Sequence, residues 1–109
     1  MNMEEMIDKY FRPGRLPHIW CPGCGNGIVT GCIVKAVAKL DLAKDNVAVI
    51  SGIGCSSRAS GYLDFNTVHS AHGRALPVAT GVKLADPNLT VLVVTGDGDA
   101  TAIGGNHLI

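Results

Sequence analysis

The stretch from Leu89 to Ile109 constrains this chain more than any other. A β-branched run, Thr90 to Thr95, stops at Gly96-Asp97-Gly98, and an alanine-containing segment of helical character follows. The pattern predicts a strand, a tight turn and a helix. Glycines at such a turn let backbone approach a ligand, and a helix N-terminus offers unpaired N–H groups to an anion. Asp97 can hold a hard cation against that anion. The ligand this implies is a metal-bridged diphosphate.

The preceding residues supply a frame for that turn. Apolar residues at Ile28, Val29, Cys32, Ile33, Ala36, Val37 and Leu40 form a helical stripe over Gly27 to Leu42, with Asn26 available as its N-cap. Val47 to Ser51 reads as a buried parallel strand that opens into Gly52-Ile53-Gly54. A second helix is predicted from Ala75 to Ala85, with Pro77 in its first turn, where the missing N–H costs nothing. Between them, Cys55 to Arg74 has no sustained period and reads as one long connection; such a length inside a compact domain points to function. The two strands then belong to a βαβ unit with a right-handed crossover and are parallel. Their carboxyl ends open on the edge where open α/β sheets bind ligands, and Cys21 and Cys24 fall over the same edge.

Upstream, Met3 to Phe11 predicts a short amphipathic helix or arm with Met6 and Tyr10 on one side. Pro13, Pro17 and Pro22, with Gly14, Gly23 and Gly25, exclude a regular element from Phe11 to Gly25. The expected division is therefore an N-terminal arm and loop over residues 1–25 and an incomplete α/β domain over residues 26–109. After Gly98 only about three helical turns fit before Ile109. The sequence of 109 residues is thus expected to be the N-terminal piece of a longer protein.

Composition excludes several classes. Nine basic and nine acidic residues cancel, leaving no basic footprint for nucleic acid or an anionic membrane. The N-terminus is acidic, and no apolar run approaches the ~20 residues of a membrane span. A cytoplasmic location is expected. Four cysteines without an export signal point to metal or redox chemistry before a disulfide framework.

Cys21-Pro22-Gly23-Cys24 brings two thiolates within reach of one metal, with Cys55 further along; zinc, iron–sulfur and dithiol redox chemistry all use such a pair. A tetrahedral zinc or a cubane cluster needs a fourth ligand, expected beyond Ile109. Cys32, on the apolar face of the first helix, is expected in the core. Gly52-Ile53-Gly54-Cys55-Ser56-Ser57 is a broken dinucleotide fingerprint, with Ser57 where the third glycine belongs. His69-Ser70-Ala71-His72-Gly73-Arg74 sets two imidazoles and a guanidinium before a helix, suited to a diphosphate or a carboxylate. Asp99 reads as a helix cap, and Asn106 and His107 as structural.

Taken together, Trp20-Cys21-Pro22-Gly23-Cys24-Gly25, Ser51-Gly52-Ile53-Gly54-Cys55-Ser56, His72-Gly73-Arg74-Ala75 and Gly96-Asp97-Gly98-Asp99 resemble the thiamine-diphosphate-binding β subunit of 2-oxoacid:ferredoxin oxidoreductases. Within that family the chain is most similar to the 2-oxoglutarate enzymes. The resemblance implies the N-terminal portion of a parallel-sheet α/β thiamine-diphosphate-binding (PP-type) fold. It implies a 4Fe-4S cluster on Cys21, Cys24 and Cys55, and Mg²⁺ on Asp97. It implies cofactor contacts from Gly52, Ile53, Gly54, Cys55, Ser56, His72, Gly73, Gly96, Asp97, Gly98 and Asp99. Arg58 and His72 become the candidate catalytic residues, Arg58 by holding a substrate carboxylate. The implied reaction is oxidative decarboxylation of a 2-oxoacid to an acyl-coenzyme A, with electrons passed to ferredoxin and a partner α subunit completing the site. Two competing readings are a zinc-stabilised nucleotide-binding module without a redox role and an inactive fragment.

Overall fold

The computed structural model describes residues 1–109. At its centre is β1, Val47–Ser51, whose five residues are all buried, as a β-branched run in the middle of a parallel sheet should be. β1 pairs in parallel with β2, Asn66–His69, on one side and with β3, Thr90–Val94, on the other. The period of two divides the faces. Val47 and Val49 of β1 pack with Val34 and Val37 of the helix α2, Gly25–Lys39, and with Met6 and Tyr10 of α1, Met3–Tyr10. Ala48 and Ile50 pack on the other face with Ala75 and Ala79 of the later helix Ala75–Ala85. Helices thus cover both faces, and each fully buried Val or Ile contributes about 1.5–3 kcal/mol relative to exposure. No helix is long and apolar enough to cross a membrane.

The strands Val47–Ser51 and Thr90–Val94 and the helix Ala75–Ala85 form where the residue patterns place them. α1 forms because Asn2 accepts a hydrogen bond from the Glu5 N–H at 2.8 Å, with Glu4 and Glu5 in its first turn and Lys9 in its last.

Three expectations are corrected. α2 begins at Gly25 rather than Gly27 and ends at Lys39; Cys24 takes the N-cap position without a side-chain bond, and Asn26 lies inside the helix. The turn at Pro22-Gly23, closed by Cys24 N–H to Cys21 C=O at 3.0 Å with Gly23 at φ 80°, delivers the chain into helix two residues early. The buried face of α2 is Thr30, Val34 and Val37, so Cys32 is exposed rather than core, as are Ile28 and Val29. Only one face of α2 meets α1 and the sheet.

The third correction concerns residues 55–74. They contain a 3-10 turn, Ser56–Arg58, a short helix α3, Ala59–Tyr62, and the strand β2. β2 sits at the sheet edge with Asn66, Val68 and His69 exposed, so it never needed the apolar alternation by which strands are recognised. It completes the sheet, and the helix Ala75–Ala85, now α4, joins β2 to β3 across β1.

Before β2, the Lys44 ammonium donates to Asp64 at 2.6 Å and holds that carboxyl below its ordinary value of 3.8, against a smaller opposing effect of burial. A lowered folded value means the contribution to stability is complete above the ordinary value and is lost as pH falls through the lowered one. Asp64→Asn is therefore expected to lower the melting temperature only slightly at neutral pH, as for an exposed pair, and to match the unsubstituted protein once the pH falls below the lowered value, so that its decline in acid is flatter, read by thermal melts across pH.

Candidate functional site

The carboxyl ends of β1 and β3 open on one cleft. It has a volume of about 450 Å³, within the ~300–1,000 Å³ of small-molecule sites, and its wall includes Ile53, Gly54, Cys55 and Ser56 after β1 and Gly96, Asp97, Gly98 and Asp99 after β3. His72 and Asn26 complete it. The expectation of two glycine turns on one edge is met by the parallel pairing of β1 with β3.

Within the cleft the two acids of Gly96-Asp97-Gly98-Asp99 face different ways. Asp97 is exposed, at the N-cap of a π-helical turn, Gly98–Ile103, and its carboxylate makes no hydrogen bond or ion pair. Asp99 is 3% exposed and is not the helix cap expected of it. Its Oδ1 accepts from His72 Nδ1 at 2.9 Å and from the Gly73 N–H, while Oδ2 is buried without a partner. Asp99 lines the cleft, but both its oxygens are turned into the protein.

That inward turn is possible because glycines surround it. A Cβ on Gly52 would lie 1.9 Å from Asp99 Oδ2, and one on Gly104 2.3 Å from the Asp99 carbonyl. Gly73, at φ 73°, closes against Ile103 and Gly104, a conformation and an approach open only to glycine. The loop before α4 and the turn after β3 are thus locked together. The free groups left for a ligand are Asp97, the His72 imidazole with its side chain 47% exposed, and Ser56 Oγ, buried without a partner. An uncommitted carboxylate beside an orphaned hydroxyl and glycine backbone fits a metal-bridged diphosphate.

The sulfur ligands do not gather in the same way. Cys21 and Cys55 are exposed and Cys24 is half-buried, all as free thiols, and no group of three or more His, Cys, Asp or Glu side chains stands close enough to hold a metal ion. The link between these segments is Trp20, which opens the Trp20–Gly25 motif but has no role of its own legible in the sequence. Its indole N–H donates to the Cys55 carbonyl, and its ring packs edge-on to Tyr62 at 5.3 Å, with Cys24 against the same cluster. The donors have the softness a cluster requires, but three fall short of its four and they are not convergent.

Arg58 lines a second cavity of about 250 Å³ rather than the cleft. Arg15, His69 and Tyr62 line it too, and no acidic residue does. Arg15 and Arg58 have no ion-pair or side-chain hydrogen-bond partner, and the buried Tyr62 hydroxyl, accepting from the Ile19 N–H at 3.0 Å, keeps its own proton to donate. The cavity is built for an anion. The two imidazoles of residues 69–74 therefore line different cavities, and the Arg74 guanidinium donates only to the Gly73 carbonyl.

A parallel α/β sheet whose adjacent strand ends carry glycine turns belongs to the class of open α/β proteins that bind ligands at the carboxyl edge of the sheet. The chain belongs to the family described as thiamine pyrophosphate enzyme, C-terminal TPP binding domain, which it matches over residues 52–109. It is similar to the 2-oxoglutarate synthase subunit KorB of Methanothermobacter marburgensis, 56% identical over 100% of this chain and 39% of that protein. The same subunit of Archaeoglobus fulgidus is 59% identical over 98% of this chain and 40% of its own length. A solved 2-oxoglutarate:ferredoxin oxidoreductase from Magnetococcus marinus, with 2-oxoglutarate, coenzyme A and succinyl-CoA bound, superposes with a TM-score of 0.87 at 44% identity, over 93% of this chain and 34% of that one. The chain thus spans about two fifths of the length of these two subunits.

Proposed function

We propose that this chain forms part of the β subunit of a thiamine-diphosphate-dependent 2-oxoacid:ferredoxin oxidoreductase acting on 2-oxoglutarate. The observation that carries the reading is the cleft itself, which gathers residues 53–56, His72 and the Gly96-Asp97-Gly98 turn in a chain 56–59% identical to KorB subunits. Asp97 would hold Mg²⁺, and Ser56 with the backbone of Gly54 and Gly96 would face the diphosphate. When bound, thiamine diphosphate supplies the nucleophile and the electron sink for decarboxylating a 2-oxoacid. His72 holds a ring nitrogen toward the bound groups. Arg58, with Arg15 and His69 beside it, binds a substrate carboxylate through charge-assisted contacts.

Cys21, Cys24 and Cys55 are the thiolates this reading assigns to a 4Fe-4S cluster, and in this structure they do not converge. The reading places the protein in the cytoplasm with an α subunit, ferredoxin and coenzyme A as partners.

The full-length subunit, reconstituted anaerobically with its α partner, is expected to reduce ferredoxin only with thiamine diphosphate, Mg²⁺, coenzyme A and 2-oxoglutarate all present. Arg58→Ala is expected to raise KM for 2-oxoglutarate about tenfold or more, the value of one charged hydrogen bond, while leaving cofactor affinity intact. Absence of turnover with every 2-oxoacid tried would overturn the proposal.

A further inference from the structure

Residues 27 positions apart, His72 and Asp99, meet at the wall of the cleft. The Asp99 side chain is 1% exposed and that of His72 is 47% exposed, so the pair runs from the interior out to the ligand space. A carboxylate oxygen only accepts hydrogen bonds, so the nitrogen it meets, Nδ1 at 2.9 Å, carries the hydrogen. Nε2 makes no hydrogen bond within the chain. We propose that Asp99 is a positioning residue: it holds His72 as the Nδ1–H tautomer, so that the Nε2 lone pair faces the cleft as a proton acceptor for an O–H or S–H of a bound ligand.

The geometry also fixes the ring. Gly73, next in the chain, donates its N–H to the same Oδ1, so the backbone and side chain of the His72-Gly73 step share one acceptor. Asp99 in turn cannot swing away, because its Oδ2 is wedged over the Cα of Gly52 and its carbonyl against Gly104. An imidazole left in water has no such constraint on its tautomer or direction. Here the anchor is buried, and only Nε2 is open to a ligand. A proton taken up at Nε2 leaves a cation beside the Asp99 carboxylate, and its return to ligand or solvent restores the neutral ring.

A purely structural role for Asp99, closing the two glycine turns, is the competing account. The test uses the full-length subunit with its α partner, labelled with ¹⁵N-histidine and observed by solid-state NMR; the His72 signals are identified by their loss in His72→Gln. The expected wild-type result is a protonated Nδ1 and an unprotonated Nε2. Asp99→Asn can keep an oxygen toward both the Gly73 N–H and Nδ1, so it retains the Nδ1–H form; Asp99→Ala removes the acceptor, and the population is then expected to shift toward Nε2–H.

In turnover, Asp99→Ala and His72→Gln are each expected to lower kcat about a hundredfold with little change in KM, and the double variant no further. A wild-type Nε2–H tautomer, or losses that multiply in the double variant, would overturn the proposal. The kinetic arm rests on the proposed 2-oxoacid chemistry and the spectroscopic arm does not, so inactivity toward 2-oxoacids leaves the tautomer measurement decisive.

Discussion

Gly52→Ala is expected to destabilise the protein by about 2–4 kcal/mol and to cripple the cleft with it. The added Cβ would sit 1.9 Å from the Asp99 carboxylate, which has no room to retreat because it is buried and already bonded to His72 and Gly73. Accommodation requires Asp99 to move, and that leaves the Gly73 N–H without its acceptor. The measurement is the melting temperature of the full-length subunit. Gly81→Ala is the control, since an added Cβ in that exposed turn of α4 meets nothing within 4 Å. That change should stabilise by up to about 1 kcal/mol through helix propensity. Equal melting temperatures for the two variants would refute the packing account.

Asp97→Asn is expected to behave in the opposite way, leaving stability intact and removing Mg²⁺-dependent thiamine diphosphate binding by about a hundredfold or more. Asp97 is exposed, and its carboxylate bonds to no group of the chain, so folding does not depend on it. Under the proposed function a hard divalent cation would depend on it directly: an amide keeps the shape but loses the charge. Calorimetric titration of the full-length protein with thiamine diphosphate, with and without Mg²⁺, reads the effect, and the melting temperature serves as the internal check. Tight binding by the Asn variant would show that the metal is held elsewhere. Neighbouring acids two residues apart are thus predicted to fail differently, Asp97 in binding and Asp99 in tautomer control.

Much of the frame was legible because its signals are local. β1, α4 and β3 each carry their own period, and Gly52, Gly96 and Gly98 mark where the strands end. Once the strands are taken as parallel, both glycine turns must share an edge. β2 escaped notice because an edge strand four residues long, with only Thr67 half-buried, has no face to write into its sequence. Cys32 and Ile28 misled because apolar spacing on α2 identifies a helix without saying which of its faces finds a partner.

The residues themselves determined the chemistry available here: a free acid in a glycine turn, thiols at Cys21, Cys24 and Cys55, and imidazoles and arginines between the strands. Tertiary structure alone decided how those groups are used. It sent Asp99 inward to His72 while leaving Asp97 outside, separated His69 from His72 into different cavities, and set Arg15 beside Arg58. The physical reason is that burial and hydrogen-bond partnership belong to pairs of segments, and these pairs lie from 27 to more than 40 residues apart. A spacing along the chain specifies a turn; only the packed sheet specifies what that turn faces.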